Sequence, residues 1–377
     1  MNVAIYYHRP LYESSGGVGR VATWLARQLV AAGHRVWCFV PAGFRVDGVA
    51  CIGVTCEKVE TVEIPQGTIR QQRKFVKGAF RERGITVVFN QCGVYKYSGV
   101  VLGCGARVIT THHSSTDGLM FCGRIPHGTC AFHKGLKALG MVSMALAVKV
   151  YDRIMYWRLL PIIKRSDVFT FLAPSYRDWM VRYFPEYADR FRVISNPIPF
   201  EHDNLSDFQN KVLFVGRVDS EKRVERLIEA WSRLPAQYAN WELQIVGTGN
   251  ELEKIKTLAR KKNLANVVFT GRADVREYYS HASIICLTSD VEGVPMVLRE
   301  AMSYGIAPII FNSFSAAGEM ITDHVNGRLI PAFDIDAYVK ALSELMDGET
   351  EKMRGSILES AKPYTGENVF ALWRRLL

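Results

Sequence analysis

Residues 289 to 305 read Ser-Asp-Val-Glu-Gly-Val-Pro-Met-Val-Leu-Arg-Glu-Ala-Met-Ser-Tyr-Gly. They follow an apolar run, Ser283 to Leu287, with the length and composition of a buried strand. Pro295 stands where a helix begins and Gly305 where one ends. The segment therefore predicts strand, loop and helix, the unit from which doubly wound parallel sheets are built. Glu292 falls in the loop and Glu300 about two turns inside the helix. The backbone N–H groups of Met296, Val297 and Leu298 open toward the same crevice. A helix N-terminus accepts a diphosphate, and a carboxylate can grip the hydroxyls of ribose or of a sugar. Two glutamates at this spacing also occur on ordinary solvated helices, so the pattern alone leaves both readings open.

Upstream, Val212 to Gly216 is another apolar run, ending in Gly-Arg and followed by Val-Asp-Ser-Glu-Lys. Arg217 and Lys222 thus sit between a strand's carboxyl end and the next helix. Arg supplies a planar fork and Lys a point charge, which together suit a diphosphate; an ordinary basic surface loop has the same look. Near the start, Gly16-Gly17-Val18-Gly19 follows a first strand and opens a helix. Glycines there let the backbone approach a phosphate or sugar. The Gly-x-Gly-x-x-Gly spacing of a dinucleotide site is absent. The second strand, Val36 to Val40, ends in Pro-Ala-Gly with no acid for an adenosine ribose, which argues against an oxidoreductase. His112 and His113 follow another strand, Val108 to Thr111, and Ser114, Ser115, Thr116 and Asp117 come next.

The apolar runs repeat along the chain. Strands are expected near 2–7, 35–40, 86–89, 107–111, 168–173 and 191–195, and then near 211–217, 242–247, 266–271, 283–288, 307–311 and 328–330. Helical stretches alternate with them, the clearest from Val18 to Ala32. This is the pattern of two parallel, doubly wound α/β domains, and 377 residues exceed one ordinary core. Pro199 to Asn210 is polar and acidic and reads as a linker. The longest near-apolar run, Ala138 to Val148, is too short to span a bilayer. The amino terminus reads as a first strand and not as a signal peptide. None of the eight cysteines forms a Cys-x-x-Cys pair, so zinc is not expected and buried reduced thiols are.

Charge is uneven. Residues 1–200 carry 26 Lys and Arg against 12 Asp and Glu, whereas the remainder carries 21 against 25. A basic first half suggests an anionic partner. No nucleic-acid recognition motif accompanies it, so no nucleic acid is expected; an anionic membrane surface or a lipid-phosphate acceptor fits better, and a scattered basic surface that aids solubility remains open. Between Phe121 and Arg165 the cations Lys134, Lys137, Lys149, Arg153, Arg158, Lys164 and Arg165 are mixed with apolar residues. They do not gather on one narrow helical face, so a clean amphipathic membrane helix is not supported. Two packed helices with solvated charges, or an acceptor-side insertion touching a membrane, both fit.

Taken together, Gly16–Gly19, Thr111-His112, Ser195-Asn196-Pro197, Gly216-Arg217 with Lys222, the Glu292–Glu300 pair, Glu319 and Asn326-Gly327 resemble the retaining family-4 glycosyltransferases with the GT-B fold. The resemblance spans nearly the whole chain and is densest in residues 211–347. It implies two Rossmann-like domains facing across a cleft. The first, 1–198, would bind the acceptor and be completed by a helix in 361–377 that crosses back. A linker, 199–210, would lead to a nucleotide-sugar domain, 211–360. The implied donor is a UDP-hexose, with a GDP-mannose-dependent transferase or a non-catalytic partner subunit as alternatives. The acceptor would be a surface glycan or a lipid-linked one.

The resemblance also implies roles. Arg217 and Lys222 hold the diphosphate with the N–H groups of Met296, Val297 and Leu298. Glu300 takes ribose hydroxyls and Glu292 the transferred sugar, while Gly16, Gly17 and His112 complete the site, with His113 a possible neighbour. The leaving diphosphate itself accepts the acceptor's proton, so charge stabilisation dominates. Asp334-Ile-Asp336 looks like a metal-binding pair but precedes a helical pattern, where Asp is a natural cap; no metal or other cofactor is expected. Val294 stands where the family often has an aromatic residue, and Arg223 where glycine is usual. The expected location is cytoplasmic, peripheral on the inner face of the plasma membrane.

Overall fold

A computed structural model of the chain describes residues 1–9, 16–43, 45–46, 49–50, 58–93, 95–116, 144–201 and 205–377. Two compact α/β units emerge. One is made of Met1–Thr116, Lys149–Pro199 and Gly366–Leu377, and the other is built around Phe200–Thr365.

The first unit carries β1 (Asn2–Tyr6), β2 (Arg35–Pro41), β3 (Arg45–Val46), β4 (Val49–Ala50), β5 (Val59–Ile64), β6 (Val87–Asn90), β7 (Arg107–His112), β8 (Val168–Phe171) and β9 (Phe191–Val193). Seven of them form a parallel sheet in the order β5-β2-β1-β6-β7-β8-β9, while β3 and β4 pair with each other, antiparallel. The second unit carries β10 (Lys211–Val215), β11 (Glu242–Val246), β12 (Val267–Gly271), β13 (Ile284–Leu287), β14 (Ala307–Phe311) and β15 (Arg328–Ile330) in the order β12-β11-β10-β13-β14-β15.

Central strands are apolar throughout because helices cover a parallel sheet on both faces. Every residue of β6, β13 and β14 is buried. The apolar runs locate these strands to within two or three residues at each end. β5 escapes them. Its Val-Glu-Thr-Val-Glu-Ile alternates, burying Val62 and Ile64 while Glu63 stays exposed, as suits a strand at the sheet's edge.

In each sheet the strand order reverses beside the first strand. The reversal falls between β1 and β6 in one unit and between β10 and β13 in the other. The crevice outside the carboxyl ends of such a strand pair is where open α/β sheets bind ligands.

The carboxyl-terminal helix Gly366–Arg374 packs on the first unit. Trp373 meets the Phe89 ring at 5.5 Å, Phe370 meets Trp24 at 6.4 Å, and the Leu376 carbonyl accepts a 2.5 Å bond from Arg107. Where described, the segment expected to be a linker is bonded into the second unit. The N–H groups of Ser206, Asp207 and Gln209 donate to the carbonyls of Tyr304, Ser280 and His281. Cys38, Cys92, Cys104 and Cys286 are buried and form no disulfide; Cys51, Cys56, Cys122 and Cys130 lie outside the described residues, as do Lys134, Lys137 and the Lys149 side chain.

Candidate active site

In the second unit the loops after β10 and β13 stand side by side at the sheet's reversal point. Lys222 ends the first loop and Glu292 lies in the second. The Lys222 Nζ donates to Glu292 Oε1 at 2.5 Å, and Ser289 Oγ donates to the same oxygen at 2.6 Å. Both side chains are mostly covered yet reach the surface.

Three further contacts hold the loops together. The Asp290 N–H donates to the Glu221 carbonyl at 2.9 Å. The Asp290 carboxylate takes Arg223 Nε at 2.6 Å and Arg226 at 2.7 Å. Thr288 Oγ1 lies 3.1 and 3.0 Å from the carbonyls of Lys222 and Arg223. Asp290, Arg226 and Thr288 are positioning residues that the sequence reading missed. Asp290 was legible only as an acid beside Glu292, since its partners lie more than sixty residues away.

Arg223, where the family usually has glycine, has φ +50° and ψ +44° and caps the helix Val224–Ser232. That is the left-handed region, costly for a residue with a Cβ. The chain keeps the glycine geometry here, and the arginine adds its bond to Asp290.

Arg217 turns outward. Its guanidinium pairs with Asp219 at 2.6 Å and Glu221 at 3.6 Å and is largely exposed. It sits beside Gly216, whose carbonyl oxygen would lie 1.8 Å from a Cβ at Gly247. Similarly, a Cβ at Gly249 would lie 2.2 Å from the Val218 carbonyl. Gly247-Thr248-Gly249, after β11, is thus a second required glycine pair. The same signal that singled out Gly16–Gly19 would have found it.

The helix after β13 runs Met296–Ser303, and Gly305 follows it at φ +80°. Its first N–H groups, those of Met296, Val297 and Leu298, have no intrahelical carbonyl to meet. Glu300 is the fifth residue of this helix and so lies just over one turn in, not the two turns expected, at 3.6 residues per turn. It is fully buried, and Tyr279 donates to its Oε2 at 3.1 Å. The glutamate expected at ribose hydroxyls is enclosed, whereas Glu292 borders the crevice.

Other motif residues resolve into structure. Asn326 donates to the Met320 carbonyl and to Ser360 and accepts from the Thr322 N–H. A Cβ at Gly327 would press on the Pro308 carbonyl at 2.6 Å. Asp334 caps its helix by accepting from the Ala337 N–H at 2.9 Å, and Asp336 pairs with Arg233 at 2.9 Å.

In the first unit Gly16 caps the helix Gly17–Ala31 with φ +92°, a value that suits glycine. His112 ends β7, buried against the rings of Phe169 and Phe171. A Cβ at Gly93 would lie 2.6 Å from its Nδ1, so Gly93 makes room for the ring. Burial pushes the His112 pKa down to about 4, so the imidazole is neutral near pH 7. His113 bonds through Nε2 to Gln91 Oε1 at 2.7 Å. A cavity of about 320 Å³ opens beyond the carboxyl ends of β1, β2 and β5, lined by Tyr6, His8, Gln72, Lys96 and Tyr97 among others.

Comparison with known proteins agrees with this arrangement. A family model described as Glycosyltransferase Family 4 matches residues 15–202, and one described as Glycosyl transferases group 1 matches residues 199–362. An uncharacterized glycosyltransferase of Haemophilus influenzae is 33% identical over 190 residues, 49% of this chain and 54% of that protein. The amylovoran biosynthesis glycosyltransferase AmsD of Erwinia amylovora is 32% identical over 201 residues, 49% of this chain and 55% of that one. The chain thus spans about half the length of these curated relatives. The solved structure of the lipopolysaccharide outer core galactosyltransferase WaaB, in its apo form, superposes with a TM-score of 0.68 at 18% identity, covering 99% of this chain and 98% of that one. That likeness shows the GT-B fold. With its two glycosyltransferase models covering residues 15–362 between them, the chain belongs to the family-4 glycosyltransferases.

Proposed function

We propose that the protein moves a hexose from a UDP-hexose to a glycan or lipid-linked acceptor in the assembly of lipopolysaccharide or another surface polysaccharide, with retention of configuration and without a metal. The observation that carries this reading is the Lys222–Glu292 pair at the reversal point of the second sheet, with Arg217 in the same loop as Lys222. Arg217 and Lys222 neutralise the departing diphosphate, and the N–H groups of Met296, Val297 and Leu298 bind its oxygens. Glu292 holds hydroxyls of the transferred sugar, and Glu300 is assigned to the ribose once its carboxylate is uncovered. Gly16, Gly17 and His112 are assigned to the sugar, and the cavity by His8 and Lys96 to the acceptor. The relatives named for amylovoran biosynthesis and lipopolysaccharide galactosyl transfer support the choice of pathway class and of a hexose.

In such a transfer the bond from C1 to the diphosphate oxygen breaks while the acceptor hydroxyl adds on the same face. The hydroxyl's proton passes to the leaving diphosphate. Stabilising that growing negative charge is then the main catalytic task. A neutral His112 contributes a hydrogen bond and no charge.

A donor screen that measures nucleoside-diphosphate release, with and without lipid extract, tests the reading. UDP release from a UDP-hexose, raised by the extract, is expected. Release from GDP-mannose alone would replace the donor, and no release from any donor would favour a non-catalytic role. Activity should survive excess chelator, because two side-chain cations, Arg217 and Lys222, are assigned to the diphosphate. Loss on chelation, restored by manganese or magnesium, would overturn metal independence.

A further inference from the structure

Two glutamates of the second unit are held in different ways. Glu292 accepts from the Lys222 ammonium. Glu300 accepts from a neutral hydroxyl, that of Tyr279, at 3.1 Å. Tyr279 is the last residue of the short helix Val275–Tyr279, between β12 and β13, and Glu300 belongs to the helix after β13. Both side chains are fully buried. The Tyr279 ring lies 5.5 Å from that of Tyr304, the residue that ends the Met296–Ser303 helix. Glu300 and Tyr304 are four residues apart and so share one helix face. Tyr279 therefore spans the last turn of that helix, toward its end rather than the N–H groups at its start.

A carboxylate offers about four acceptor sites, two at each oxygen. The Tyr279 hydroxyl takes one at Oε2, so its bond and those of two ribose hydroxyls are compatible. A neutral donor also leaves the carboxylate's charge uncancelled, and hydrogen bonds to a charged group are stronger than those between neutral ones. A lysine at this place would cancel that charge. The tyrosine ring has a fixed backing. Tyr304 is itself buried, 6.3 Å from the Phe200 ring, and its carbonyl accepts from the Ser206 N–H at 3.0 Å.

We propose that Tyr279 is a positioning residue for ribose recognition: its hydroxyl fixes the Glu300 carboxylate before the nucleotide arrives and holds it while it accepts from the ribose 2′- and 3′-hydroxyls. The inference rests on the assignment of Glu300 to the ribose made above. A glutamate loses rotamer freedom when it is fixed, and with Tyr279 in place that loss is met on folding and not on binding. Ribose lies outside the bonds that form and break. Its contacts are therefore the same in the ground and transition states, and they show in KM and not in kcat. The tyrosine touches no substrate; it acts through Glu300.

Binding of UDP and of 2′-deoxy-UDP, measured by calorimetry, decides it. The parent should prefer UDP by roughly 10- to 100-fold, the strength of a hydrogen bond to a charged group. Glu300→Gln should lose most of that preference. Tyr279→Phe keeps the ring that packs on Tyr304 and should fold. It should cut the preference to about threefold, raise KM for a UDP-hexose roughly tenfold and leave kcat within about twofold. Joined to Glu300→Gln it should reduce the preference no further, because the two residues act in series. Tyr338→Phe is the control. It removes another fully buried hydroxyl of the same unit, one that donates to the Ile309 carbonyl at 3.1 Å, and should leave the preference intact. An undiminished preference in Tyr279→Phe would overturn the inference even if melting fell, as would an equal loss in Tyr338→Phe. A preference retained in Glu300→Gln, or none in the parent, would overturn the ribose assignment and this inference with it.

Discussion

Arg223 and Lys222 are adjacent, yet their substitution should give opposite kinds of defect. At φ +50°, Arg223 carries backbone strain that glycine would relieve. Arg223→Ala keeps the strain and loses the Asp290 pair, whereas Arg223→Gly loses the pair alone. The alanine variant should therefore be the less stable of the two by roughly 1 kcal/mol in urea unfolding. Equal stabilities would show that the left-handed conformation is not held. Lys222→Ala and Arg217→Ala act on chemistry instead. Each should cut turnover by roughly 10²-fold or more while melting stays near that of the parent. Near-normal turnover in both would remove the phosphate clamp. Glu300 shows how far single residues can be read. Its place on a helix was plain from sequence, but its bond to Tyr279 was not.

At the level of elements, the second unit depends on loops that touch backbone to backbone. A Cβ at Gly247 would sit 1.8 Å from the Gly216 carbonyl oxygen, and Gly247 is itself at φ +147°. Gly247→Ala should cost roughly 3 kcal/mol or more, because strain and overpacking add. The measurement is the same urea unfolding, and a loss below the error of the method would mean that the two loops part easily. The strands of this unit were all legible, since buried parallel strands are continuous apolar runs. β5 was not, because an edge strand covered on one side alternates and resembles polar loop sequence. The helix Met296–Ser303 was found from Pro295 and Gly305, which flank it to within two residues. Proline marks where a helix is permitted to start, and the first hydrogen-bonded turn settles where it does.

For the molecule as a whole, one buried imidazole, His112, and two half-buried ones, His8 and His113, set an acid limit. Burial pushes His8 and His112 down to about 4 and His113 to about 3. In the unfolded chain each protonates near its ordinary value of about 6.5. The unfolded state then binds more protons than the folded one between these values, so stability is full above about pH 6.5 and falls as pH drops toward 4. The melting temperature should decline over that window, and His112→Gln should make the decline shallower. A flat profile would show that these rings reach solvent before unfolding. The sequence by itself determined the two α/β units, most of their strands, the family, and the loops that carry Arg217, Lys222, Glu292 and the Met296 helix terminus. Those features are local: apolar periodicity, glycine and proline punctuation, and charges fixed to strand ends. Tertiary structure alone decided that Lys222 meets Glu292, that Asp290 ties two arginines across the loops and that His112 is neutral. Lys222 and Glu292 are seventy residues apart in the chain, and they meet only because β10 and β13 are neighbours in the sheet.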